Sequence, residues 1–218
     1  VSRISATVAV VCALAFAGSL LASDLPMPVR TWVAENIPGG RSLVDLPPDP
    51  EAEVAALAEW MNLTPEGAEL FAAAQPRVVD DLDEICGAPD DDGDAITLGC
   101  YHGFDRIYIL RGRGLTGDAM MVTTAAHELL HAAYARMDAA ERSLLAELVA
   151  AETARIEPGA RVLAQIDVSV GQNEANRANE QFAYLGSQVV LPGGFDPALE
   201  DIYARWFVDR EALAAAAP

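Results

Sequence analysis

The sequence predicts a mainly α-helical (α+β) domain with one small antiparallel β-hairpin. Three observations predict it. Helix-period apolar patterning recurs between residues 51 and 213 and is punctuated by helix-start signals. The strand signal is confined to two short β-prone segments, 95–101 and 106–110, joined by His102-Gly103-Phe104-Asp105. Hydrophobic residues make up 52% of the 218, too many for a disordered chain and enough for a sizeable core.

The elements follow in order. Residues 4–22 are uncharged and mostly apolar after Arg3, which reads as a secretory signal or an N-terminal membrane anchor within residues 1–23. Either places the folded part outside the cytoplasm, secreted or tethered to a membrane through residues 4–22. Residues 24–50 are rich in Pro and Gly and read as a linker or arm. The domain then runs over 51–218. A first helix is expected from 51 to about 62. Thr64 as N-cap with Pro65 in the first turn opens a second, through about 74. A short helix is expected at about 77–85. Asp90-Asp91-Asp92-Gly93-Asp94 reads as a polar turn, because Ala88 and Gly99 fall where the first and twelfth ligands of a calcium loop belong. After the hairpin comes a long helix, about 118–137. Asp138 with Glu141 forms a capping box for the next, about 139–155, which Pro158-Gly159 ends. Further helices are expected at about 174–188 and, after Asp196-Pro197, at 197–213.

Charge excludes one class of partner. Fourteen basic residues, all Arg, face 33 acidic ones, a net charge of −19 that repels a phosphate backbone and argues against nucleic-acid binding. Of the three cysteines, Cys12 lies in the export segment. Cys86 and Cys100 remain as a pair, and in an exported chain they predict a disulfide.

The chemistry concentrates in His127-Glu128-Leu129-Leu130-His131, an HExxH pattern within the long helix. Residues four apart share a helix face, so both imidazoles can reach one Zn2+. Glu128 lies about 100° around the helix, where it can act as general base on a water activated by that metal. A third ligand is needed. The extended metzincin pattern fails, because Tyr134 and Met137 stand where Gly and His are required. Glu180 is the chosen ligand, a carboxylate among Phe182, Ala183 and Leu185, with Glu174 and His102 as alternatives.

The pattern His127-Glu128-x-x-His131 followed at a distance by Asn179-Glu180-x-x-Ala183 resembles the gluzincin group of zinc metallopeptidases. A wider stretch, about residues 60–212, is similar to an uncharacterised group of bacterial exported or membrane-anchored HExxH proteins. The similar pieces include Leu63-Thr64-Pro65-Glu66-Gly67, Gly99-Cys100-Tyr101, the segment from Thr124 to Tyr134, and the segment from Tyr203 to Arg210. The resemblance implies a zincin-like helical domain, a peptide or protein substrate, and a strand above the metal that pairs with the substrate, here 106–110. The separation of His131 and Glu180 is longer than in the thermolysin type, and one departure bears on the site: Tyr184 stands where many gluzincins have an Asp that orients a ligand His. Support must come from elsewhere, with Asn176 or Asn179 the nearest candidates. Candidates for the donor to a developing oxyanion are Tyr184, then Arg177, Tyr203 and His102.

The leading expectation is an exported zinc-dependent hydrolase, a metallopeptidase. The competing one is a non-catalytic exported or membrane-tethered binding protein, with zinc structural or absent. A third is an enzyme acting on a cell-wall amide.

Overall fold

The computed structural model describes residues 29, 32–33, 50–87, 97–102, 105–112 and 116–218. The apolar run at 4–22, nearly all of the 24–50 arm and the polar turn at 90–94 lie outside the described residues. The chain divides into two compact units, Val1–Asp49 and Pro50–Pro218. Every element named below belongs to the second. Among the described residues, no helix is long and apolar enough to cross a membrane.

Helix α1 spans Pro50–Trp60 and α2 spans Pro65–Ala73. Thr64 caps α2: its Oγ1 accepts from the Gly67 N–H at 3.0 Å, and Pro65 supplies a first-turn φ without needing a partner for an N–H. Strand β1 (Arg77–Val79) and the short helix α3 (Asp83–Cys86) occupy the region expected to be one helix. That expectation fails because Gln75-Pro76 breaks the chain and β3 offers Arg77–Val79 a parallel partner, with Val78 opposite Ile109. Strand β2 (Gly99–His102) runs antiparallel to β3 (Arg106–Leu110), with Tyr101 opposite Ile107. The sheet order is β1-β3-β2, so it is mixed and β3 is its centre. Ile107 and Ile109 are fully buried while their strand neighbours are not, the period of two expected of a sheet with one face on a core.

Helix α4 (Gly117–Arg136) lies against that sheet. Helix α5 (Ala139–Thr153) starts at the expected capping box: Asp138 accepts from the Ala140 and Glu141 N–H groups, and Glu141 accepts from the Asp138 N–H. Helix α6 (Arg161–Val170) was not expected. A 3₁₀ turn at Glu174–Asn176 leads into α7 (Arg177–Gln188). The last expected helix is two, α8 (Pro197–Tyr203) and α9 (Arg210–Ala215). Phe207 separates them because its backbone bridges to Leu63, and Asp209 recaps the chain through the Ala212 N–H.

Helix α7 is the hub, in contact with α4, α5, α6 and α9. Two glycines permit the close approaches that set the site. A Cβ at Gly186 would lie 2.4 Å from Leu130 Cδ1, where α7 crosses α4. A Cβ at Gly99 would lie 2.5 Å from Thr124 Cγ2 and 3.2 Å from Glu128 Cγ, where β2 rests on α4. Cys86 and Cys100 form a disulfide that ties α3 to β2.

Candidate metal centre

His127 and His131 project from one face of α4, and α7 brings Glu180 to them. The two Nε2 atoms are 3.1 Å apart, and Glu180 Oε2 is 3.8 and 3.7 Å from them. Four-coordinate zinc with bonds of about 2.0–2.1 Å separates neighbouring ligand atoms by about 3.3 Å. The observed triangle brackets that edge, so the donor set and its spacing fit a tetrahedral zinc with one corner left over. The buried polar atoms point the same way. His127 Nδ1 is buried without a hydrogen bond among the described residues, and the Glu180 side chain is only 9% exposed. Charged and polar groups are rarely buried so incompletely paired unless something further binds them.

Glu128 lies beside this group, 5% exposed. Burial pushes its carboxyl up to about 7; the nearby His131 and a backbone hydrogen bond from Tyr101 pull it down, and Glu180 pushes it up. A carboxylate near neutrality can both take and return a proton. Burial, with His131 next to it, holds the His127 imidazole well below its usual range, so it is neutral and ready to ligate. The amides supply the support that the sequence left open between Asn176 and Asn179: Asn179 Oδ1 is 2.9 Å from His131 Nδ1, and Asn176 Nδ2 is 2.8 Å from Glu180 Oε1.

Other expectations fare differently. Glu174 is exposed and paired with Arg177 at 2.7 Å, outside the ligand group. His102 ends β2 exposed and is likewise outside it. Arg177 is held by Glu174 and Asp167. Tyr203 is fully buried and its hydroxyl donates to the Phe182 carbonyl at 2.9 Å, a core contact that leaves it no oxyanion to reach. Tyr184 does reach the site: its ring stands edge-on to His127 with centroids 4.5 Å apart. Its hydroxyl, however, is 2.9 Å from Ser169 Oγ. Strand 106–110 is not a free edge, because β1 and β2 pair with both its sides; the sheet edge beside Glu128 is β2. Sequence reasoning missed Ser169, whose helix it did not foresee, and the Tyr101 backbone, which has no side-chain signal at all.

No protein-family model, curated protein or solved structure matches the chain. The likeness to gluzincins therefore rests on the motif residues and does not by itself identify the family.

Proposed function

We propose that the protein is a zinc-dependent hydrolase, most specifically a metallopeptidase, working outside the cytoplasm. One observation carries the reading: two imidazoles and a carboxylate converge at zinc-like spacing with a second buried carboxylate, Glu128, next to them. His127, His131 and Glu180 would hold the metal. Zinc at such a site supplies Lewis acidity, which makes water nucleophilic near neutral pH and polarises a carbonyl. Glu128 takes the proton of the attacking water and returns it to the leaving amine. Strand β2 lies beside Glu128 and, among the described residues, pairs with another strand on one side only, a place for an extended peptide. The disulfide and the apolar run at 4–22 support an oxidising compartment.

The test is hydrolysis of unfolded casein and quenched-fluorescence peptides by the zinc-loaded protein. Glu128→Gln is expected to keep one zinc per chain and to lose activity by about 10²–10⁴-fold. An unchanged rate in that variant overturns the mechanism. The low exposure of the ligand side chains, 9–12%, favours a second reading, a binding protein with structural zinc. That reading predicts stoichiometric zinc and no hydrolysis in either protein.

A further inference from the structure

Two amides connect the ligands, and the connection has a direction. Asn176 Nδ2 is 2.8 Å from Glu180 Oε1, Asn179 Nδ2 is 3.0 Å from Asn176 Oδ1, and Asn179 Oδ1 is 2.9 Å from His131 Nδ1. In the first of these bonds Glu180 Oε1 is the acceptor. Asn176 must therefore turn its NH2 to Glu180, which leaves its carbonyl for Asn179. Asn179 must answer with its own NH2, which leaves its carbonyl for His131. A carbonyl only accepts, so His131 carries its proton on Nδ1 and presents a bare lone pair at Nε2. In the zinc-free protein His127 Nε2, 3.1 Å away, then carries the proton between the two rings, and its buried Nδ1 is the bare one.

We propose that Asn176 is a positioning residue with two effects. Through Asn179 it lets Glu180, as the acceptor at the end of the chain, fix the tautomer of His131. By holding Oε1, it also leaves Oε2 as the only oxygen Glu180 offers, so the carboxylate binds a metal through one atom and a corner stays open. The first effect needs no metal. The second rests on the metal-centre reading above.

The tautomers are read by long-range 1H–15N correlation on the full chain labelled at histidine, in EDTA at pH 8. Exposed His102 serves as the internal reference. Wild type is expected to show His131 as the Nδ1–H form and His127 as the Nε2–H form. Asn176→Ala frees Asn179 to turn over, and His131 is expected to become a mixture of tautomers. Asn176→Asp still accepts from Asn179 but repels Glu180. It is expected to keep the His131 tautomer while weakening zinc binding by about 10–100-fold. In Co2+-loaded protein the intense visible band of a four-coordinate ion is expected to weaken in that variant, as the second carboxylate oxygen joins. Glu174→Gln, on the same turn but outside the chain of amides, is expected to change none of these. Unaltered His131 in Asn176→Ala, or unaltered metal affinity and spectrum in Asn176→Asp, overturns the corresponding half. If Asn176→Ala does not fold, Asn179→Ala replaces it, with the same mixed tautomer expected and an unchanged one overturning. Wild type that binds neither zinc nor cobalt overturns the metal reading and the second half, and leaves the tautomer result standing.

Discussion

A buried charge stands at each end of helix α7, and the two are treated differently. Past its C-terminal end, Arg210 is 4% exposed and its donors are well used. Nη1 donates to the Val189 and Leu185 carbonyls at 2.7 and 3.3 Å, and Nε and Nη2 donate to Glu200 at 3.1 and 3.0 Å. Its guanidinium also lies 4.3 Å from the centroid of Phe195. Near the N-terminal end, Glu180 is also buried, yet among the described residues Asn176 is its one hydrogen-bond donor. Its Oε2 faces two imidazole nitrogens at distances too long for hydrogen bonds. Arg210 closes a helix end within the chain's own resources. Glu180, His127 and His131 make an incomplete set that a dication would complete.

The strongest way to break this contrast is to add the metal. At a thousandfold excess over its dissociation constant, zinc is expected to stabilise the fold by about 4 kcal/mol. Urea unfolding with and without EDTA measures it. Glu180→Ala is expected to abolish most of that gain, and zinc content measured on the same protein should fall with it. A zinc-independent midpoint in wild type would remove the distinction between the two ends.

The other end comes next. Arg210→Met keeps the length of the side chain but takes its donor from the Val189 carbonyl and Glu200, and leaves the Leu185 carbonyl with the Val189 N–H alone. A loss of about 3–4 kcal/mol is expected, toward the lower end of the cost of breaking a buried pair, because Glu200 is partly exposed and regains water. Zinc bound per folded chain is expected to stay at wild-type level. A variant that lost zinc while remaining folded would show that the two ends are coupled.

Glu128 sharpens the contrast from within the site. Burial penalises its charge and pushes its carboxyl from the ordinary 4.5 up to about 7 in the folded protein. A raised carboxylate leaves stability intact below the unfolded pKa and erodes it as pH rises through the folded one. In EDTA, Glu128→Gln is therefore expected to match wild type at pH 4 and to exceed it by about 3 kcal/mol at pH 8. Equal stabilities at both pH values would mean that the site carries no such strain.

The sequence made these regions legible to different degrees. His127, Glu128 and His131 were readable because their spacing is set by one helix. Glu180 was readable because a carboxylate amid Phe182, Ala183 and Leu185 demands a reason. The asparagine network was only half readable: Asn176 and Asn179 could be named, but their partners depend on how α7 crosses α4. Arg77–Val79 was misread because three residues carry too little period, and its strand exists only through β3. That error also hid the central place of β3, and so made 106–110 look like an edge. Helix α6 carries Val162, Ile166 and Val170 at a spacing of four, but it lacks a capping side chain and holds β-branched residues, which masked it. Tyr203 and Arg210 could not be assigned to the core, since polar side chains earn burial only through partners distant in sequence.

The smallest expected effect decides what Tyr184 does. Its ring packs on His127 and its hydroxyl on Ser169, so one residue joins the site to α6. Tyr184→Phe keeps the ring and is expected to cost about 1 kcal/mol, the net worth of one hydrogen bond. Ser169→Ala removes the same bond from the other side and is expected to cost the same. The double variant should lose no more than either single one, because both break a single contact. Kinetics then separate the roles. Ser169→Ala frees the hydroxyl, whereas Tyr184→Phe removes it. If the hydroxyl only latches α6, kcat is the same in both variants. A kcat about 10²-fold lower in Tyr184→Phe alone, with KM unchanged, would return the hydroxyl to the oxyanion. The hydroxyl's engagement with Ser169 predicts the first result, because a hydroxyl turned toward α6 must leave that contact before it can serve the reaction.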